Sequence, residues 1–228
     1  IQLPGMTGTV VQAATTDTPQ GYEATIEAVR EAVAEQLSTG MPSSATVAVM
    51  VDGEIVYAEG FGLRDRAKNL PVETDTQFNI GSISKIFTVA AVLILEQEGK
   101  LSLDRPVTDY LPEFTMKDAR YKDITVRMLL NHTSGLPGSY FKDGFTAVKN
   151  RNYVEEALEA LKTCNLMNDP GKISVYCNDG FTVAEAVIER VSGMSFPGFL
   201  EQKIFSKLSL ENTSAYFKDG NQNIARVY

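Results

Sequence analysis

Ile80-Gly81-Ser82-Ile83-Ser84-Lys85-Ile86-Phe87-Thr88-Val89-Ala90-Ala91-Val92-Leu93-Ile94-Leu95 is apolar on nearly every face after its first turn. A helix of that composition is normally buried. Lys85 is the only charge between Thr76 and Glu96, and an ammonium in such a setting is costly unless it is paired or gives up its proton. Ser82 stands three residues earlier, so on a helix the hydroxyl and the amine share a face. Desolvation favours neutral lysine, which makes Lys85 a base able to take the Ser82 proton as that oxygen attacks a carbonyl. A first-turn position adds the helix dipole and unpaired backbone N–H groups, that of Ser82 included, as partners for a developing oxyanion. The plainer alternative is that Ser82 caps the helix and Lys85 snorkels from its opening turn. A second Ser-x-x-Lys, Ser139-Tyr140-Phe141-Lys142, lies among Gly135, Pro137, Gly138 and Gly144, with no buried helix to desolvate its lysine. It is read as a chance match.

Upstream, Ile26, Val29, Val33 and Leu37 recur at three- and four-residue steps, which predicts an amphipathic helix over Tyr22 to Leu37, ended by Gly40 and Pro42. Ala45 to Val51 and Glu54 to Phe61 are β-branched runs joined by Asp52-Gly53, a strong hairpin signal. A hairpin alone is marginal in water, so these strands need partners or a covering helix. Downstream, helices are expected over Ser84 to Gln97, Val126 to Asn131, Tyr153 to Lys162, Asp179 to Ser192 and Phe196 to Phe205. Gly-, Pro- and Asn-rich loops separate them, such as His132 to Gly138 and Asn168 to Gly171. A helix, a hairpin and a run of helices make a mixed α/β (α+β) arrangement, not the alternation of a parallel sheet.

Composition narrows the chemistry. The 228 residues carry 21 Lys and Arg against 29 Asp and Glu, a net charge of −8, and no basic block offers phosphate or anionic-lipid contacts. Nucleic acid is excluded as a partner. One His and two Cys without metal-ligand spacing leave no zinc site to expect. The longest apolar stretch, Ile86 to Leu95, is ten residues and is interrupted by Thr88, whereas a membrane span needs about 20, so no transmembrane segment is expected. Residues 1–20, with Asp17 their only charge, read as a flexible leader.

Three further passages point to a family. Leu129-Leu130-Asn131-His132-Thr133-Ser134-Gly135-Leu136-Pro137 closely resembles the HTSGLP segment of the serine β-lactamase and penicillin-binding protein superfamily. Tyr176-Cys177-Asn178 resembles the Tyr-x-Asn element of its class C branch, and none of the other eight of the nine tyrosines has Asn two residues on. Ser82-Ile83-Ser84-Lys85 matches the nucleophile motif, and Val191-Ser192-Gly193 closing a helix is also familial. The resemblance runs from about Tyr22 to the end. It implies a β-lactamase/transpeptidase-like fold, an antiparallel sheet flanked by helices plus a helical subdomain. Within 21–228 it places the α/β part at 21–75 and the mainly helical part at 76–217.

Carried over, the resemblance makes Ser82 the acylated nucleophile and Lys85 its proton acceptor or electrostatic partner. Tyr176 would pass a proton to the leaving group, and Asn178 would bind the substrate amide and Lys85. A cation near the phenol lowers its pKa usefully, and the choice of base between Lys85 and Tyr176 stays open. Read outside that context, Tyr176 is a buried tyrosine with a satisfied hydroxyl and Asn178 a helix N-cap. His132 is assigned to structure, tying down a turn. The resemblance implies a serine hydrolase of small-molecule or peptide amides or esters, of β-lactamase, D-Ala-D-Ala carboxypeptidase, peptidase or esterase type. It further implies no cofactor, no metal and an extracytoplasmic location. The rival is a non-catalytic module of the same fold that binds a cell-wall peptide or a partner chain.

The family's third motif, Lys or His, then Ser or Thr, then Gly, has no counterpart. Lys142-Asp143-Gly144 and Lys218-Asp219-Gly220 have the wrong middle residue. The expectation is therefore an N-terminal portion of a longer polypeptide, lacking the C-terminal sheet strands and unstable or inactive without that complement. Cys164 and Cys177 flank Pro170-Gly171 and are read either as a disulfide or as free buried thiols.

Overall fold

The computed structural model describes residues 21–138, 152–216 and 220–226. The leader, Ser139 to Lys142, the Lys142-Asp143-Gly144 run and Lys218-Asp219 lie outside them. The chain divides into two compact units, one formed by residues up to Asn79 together with those from Phe217, the other by Ile80–Tyr216.

In the first unit, α1 (Glu23–Ser38) precedes β1 (Ser44–Val51) and β2 (Glu54–Asp65), which pair antiparallel. Ile26 is buried and Val29, Val33 and Leu37 are half-buried, so α1 turns the predicted stripe inward. Asp52 and Gly53 take φ values of 50° and 85°, the left-handed pair that a tight hairpin turn requires. The hairpin is less alone than expected. A two-residue strand, β3 (Leu70–Pro71), adds to β2, giving the order β1-β2-β3 among the described residues. The C-terminal stretch also returns: Ile224 bridges Gln77 in parallel, and Arg226 pairs with Asp65 at 3.0 Å. Gly60 lets β2 approach that edge, since a Cβ there would sit 2.7 Å from the Val72 carbonyl oxygen. Glu59 is buried on β2, where it accepts from Tyr57 Oη and from Arg30 Nε of α1. A buried carboxylate with two donors is the arrangement that offsets its desolvation.

The second unit is helical: α2 (Lys85–Gln97), α3 (Val126–Leu130), α4 (Tyr153–Leu161), α5 (Asn178–Ser192) and α6 (Phe196–Leu200), the last running into a π turn at Glu201–Phe205. Its core joins Ala91, Val92 and Leu95 of α2 to Val183, Ala184, Val187 and Ile188 of α5. Gly180 lets α5 close on α3, because a Cβ there would meet the Leu129 carbonyl oxygen at 3.1 Å. One expectation fails. α2 is buried only along Thr88, Ala91, Val92 and Leu95, whereas Ile83 in the preceding turn and Ile86 are each 60% exposed. Composition alone overstated its burial, because the described core covers one stripe.

Half-buried Glu185 on α5 carries a stability prediction. Burial, with Glu189 and Glu155 nearby, pushes its carboxyl up to about 7. A carboxyl whose folded pKa is raised contributes its full stabilising term below about 4.5 and loses it as pH rises through 7. His132, held low, acts in the opposite sense, so the difference between two proteins is the readout. Wild type minus Glu185→Gln, followed by urea unfolding from pH 5 to 8, should fall steadily. A flat difference would show that Glu185 ionises as a solvated carboxylate.

Candidate active site

Ser82 occupies a 3₁₀ turn, Gly81–Ser84, that opens onto α2 and brings the hydroxyl to the positive end of that helix. Its side chain does not act as a cap. Instead, Ser82 Oγ accepts from Lys85 Nζ at 3.1 Å and from Tyr176 Oη at 2.5 Å. Lys85 Nζ also donates to Asn178 Oδ1 at 2.7 Å. Four side chains drawn from positions 82 to 178 thus form one connected network inside the second unit.

Two of the plainer alternatives fail here. Tyr176 is 53% exposed, not buried. Asn178 is the first residue of α5 and not its cap, since the helix opens with Asn178 N–H and Asp179 N–H donating to the Gly138 carbonyl at 2.9 and 3.2 Å. Its amide oxygen faces Lys85. The picture of Lys85 sunk among apolar side chains is also corrected: it is half-buried, with Ser82 and Asn178 as partners and two aromatic rings beside it. Its Nζ stands 4.8 Å from the Tyr176 ring centroid and 5.4 Å from that of Phe181. Hydrogen bonding by Lys85 holds the Tyr176 phenol below its ordinary pKa, with Ser82 and the lysine's charge adding to the effect.

The loop Asn131 to Gly138 is what carries Tyr176 and Asn178 to this place. The Thr133 carbonyl accepts from Gly171 N–H and the Gly135 carbonyl from Met167 N–H, each at 2.8 Å. The His132 carbonyl accepts from Val175 N–H at 2.9 Å, and His132 Nδ1 accepts from Cys177 N–H at 3.1 Å. Arg120 bridges Asp118 and Asp169, both at 2.5 Å, and so ties down the same segment. Both cysteines are free: Cys177 Sγ is buried against the Gly138 carbonyl at 3.3 Å, and Cys164 Sγ lies 3.4 Å from the Ala160 carbonyl.

The profile of the family described as Beta-lactamase matches residues 27–223. The chain belongs to the Beta-lactamase family. Within the Beta-lactamase family and fold, Penicillin-binding protein 4* of Bacillus subtilis (strain 168) is 31% identical over 176 residues, covering 75% of this chain and 38% of that protein. A class C β-lactamase solved in complex with cefoxitin superposes with a TM-score of 0.76 at 25% identity, over 88% of this chain and 54% of that one. EstCE1, described as a hydrolase with promiscuous acyltransferase activity, superposes at 0.75 with 28% identity, over 88% and 55%. The chain thus spans well under two thirds of the length of these proteins.

Sequence reasoning missed two contributors to this network. Phe181 underlies Lys85, and its position three residues after Asn178 on α5 was the available signal. The His132 ring, read as a turn fastener, lies 4.7 Å from the Tyr176 ring and 5.3 Å from Phe181. Among the described residues no group of three or more His, Cys, Asp or Glu side chains could hold a metal ion, and no helix is long and apolar enough to cross a membrane.

Proposed function

We propose that this chain carries the acylating machinery of a serine hydrolase that opens amides or esters through an acyl-enzyme on Ser82. The observation that carries the reading is the convergence of Lys85 Nζ and Tyr176 Oη on one oxygen, at 3.1 and 2.5 Å. A hydroxyl flanked by an amine and a phenol of lowered pKa has two routes for losing its proton as it attacks. Once either neighbour is deprotonated, Ser82 becomes the donor in the same contact. The proton then passes by way of Tyr176 to the leaving group, and water releases the acyl chain. Asn178 holds Lys85 in place and offers its amide to the substrate. The Ser82 N–H, in the 3₁₀ turn ahead of α2, supplies one oxyanion donor.

Substrate choice is left among β-lactam, carboxypeptidase, peptidase and esterase types, because the relatives named above are described as a penicillin-binding protein, a β-lactamase and a hydrolase with acyltransferase activity. Full turnover in this reading needs a C-terminal complement that adds the second oxyanion donor. An extracytoplasmic location follows from the likeness to penicillin-binding proteins and belongs to the same proposal.

The test is covalent. The complete protein is exposed to a fluorescent penicillin and, separately, to a fluorophosphonate, and the adduct is mapped by peptide mass. At least one probe should modify the peptide containing Ser82 and leave Ser82→Ala unlabelled. Absence of any adduct would favour the non-catalytic binding module.

A further inference from the structure

We propose that His132 is the positioning residue for Tyr176, its Nδ1 and its carbonyl together fixing the backbone on both sides of the phenol-bearing residue. This deepens the hydrolase reading and rests on it. Tyr176 is 53% exposed, so packing alone does not define where its phenol points. Ser82 and Lys85 meet its hydroxyl and its ring, and the backbone on either side of it is held by His132. The His132 carbonyl accepts from Val175 N–H at 2.9 Å, its Nδ1 accepts from Cys177 N–H at 3.1 Å, and its ring faces the Tyr176 ring at 4.7 Å. The Ser174–Val175 and Tyr176–Cys177 peptide units, one on each side of Tyr176, are thereby held by a single side chain and its own carbonyl.

The backbone of His132 is bent to do this. Its φ is +64°, a left-handed conformation that non-glycine residues adopt at a cost. That turn lets the carbonyl and the imidazole of one residue reach two N–H groups spaced two residues apart. Histidine and asparagine tolerate the conformation better than β-branched residues do.

The hydrogen bond also specifies a protonation state. Nδ1 can accept only when it carries no proton, so the ring is the neutral Nε2–H tautomer. Burial, with the Lys85 charge adding to it, holds the imidazole below its usual pKa and keeps it in that form. Adding a proton at Nδ1 would turn an acceptor into a donor aimed at Cys177 N–H. It would also set a second cation near the lysine that keeps the Tyr176 phenol acidic. The titratable groups around the ring, among the described residues, are Lys85 from α2, and Tyr176 and Cys177 from the segment entering α5.

His132 is the one histidine of these 228 residues, so ¹⁵N-histidine labelling, taken as the difference from H132N, reads its tautomer without assignment ambiguity. At neutral pH the complete protein should show Nδ1 bare and Nε2 protonated; the opposite tautomer overturns the proposal. Three variants then separate positioning from simple support. H132N keeps an acceptor where Nδ1 stands and accepts a left-handed backbone. H132Q moves the acceptor one carbon outward, and H132G removes it while relieving the turn. Fluorophosphonate labelling of Ser82 should slow about 30- to 100-fold in H132G and H132Q, the scale of a misplacement near 1 Å, and H132N should recover most of the rate.

Ultraviolet titration of the phenol, taken as the difference from Tyr176→Phe, should show the Tyr176 pKa moving upward in H132G, a change that mere loss of support would not produce. Should H132G and H132Q fail to fold, H132N decides: folded and fast supports the clamp, folded and slow overturns it. Wild type that never labels sinks the hydrolase reading itself. Wild type that labels, with H132G and H132Q equally fast, sinks only the role of His132.

Discussion

Lys85→Met is expected to slow acylation of Ser82 by about 10³-fold, within the range general acid–base groups contribute. Methionine keeps a similar length and apolar bulk, so the fold should survive the exchange. Three contacts are lost together. Ser82 Oγ loses a partner at 3.1 Å, Asn178 Oδ1 loses one at 2.7 Å, and the phenol of Tyr176 loses the chief cause of its lowered pKa. The third loss gives the prediction a sign. A depressed phenol pKa means more phenolate at any given pH, so removing the lysine shifts Tyr176 ionisation to higher pH. If Tyr176 is the base, the residual rate of Lys85→Met climbs as pH is raised toward 10, the ordinary phenol value. If Lys85 is the base, the residual rate stays low across that range. Labelling kinetics with a fluorophosphonate from pH 6 to 10 separates the two, and a neutral-pH rate within tenfold of wild type would remove Lys85 from the mechanism.

What could be read ahead of the structure divides along contact distance. Local patterns succeeded: the Ile26, Val29, Val33, Leu37 stripe, the Asp52-Gly53 turn, and the three-residue step from Ser82 to Lys85 are each settled by neighbours in sequence. β3 was invisible because Leu70–Pro71 is two residues long, too short to show a period, and proline argues against a strand. The contacts of Lys85 with Asn178 and of Ser82 with Tyr176 span 93 and 94 positions. Nothing in the spacing alone specifies them; the resemblance of Tyr176-Cys177-Asn178 to a known element supplied the pairing. His132 shows the opposite case. The residue was noticed, but its role depends on a loop at 131–138 lying against 167–179, so the acceptor function of Nδ1 could not be inferred from a turn-rich neighbourhood.

The Lys85 environment went wrong for a different reason. Counting apolar residues along Ile80 to Leu95 measures how greasy a helix is, but the start of a helix projects beyond the core that covers its middle. Lys85 sits at that start, where a half-buried ammonium keeps polar partners. The chemistry inferred from deep desolvation therefore shifts to a pair effect, in which the amine lowers the pKa of the phenol at close range.

Gly135→Ala is expected to cost about 2–4 kcal/mol of stability and to abolish most Ser82 labelling in whatever protein folds. Gly135 has φ +74°, and a Cβ there would lie 2.3 Å from the carbonyl oxygen of Asn168. That atom is backbone, so no side chain can swing away; the loop itself must move. It is the same loop that receives Gly135 and Thr133 as hydrogen-bond acceptors and leads on to Tyr176. Displacing it by the ångström or so needed to clear the methyl would carry the phenol off Ser82. Gly193→Ala is the matched control: φ is +71° but a Cβ meets nothing within 4 Å, so only the conformational penalty of about 1–2 kcal/mol applies. Urea unfolding of both variants, with labelling rates measured on the folded fraction, isolates the clash from the backbone strain. Equal destabilisation, or a Gly135→Ala protein that labels as fast as Gly193→Ala, would mean that the 131–138 loop does not set the position of Tyr176.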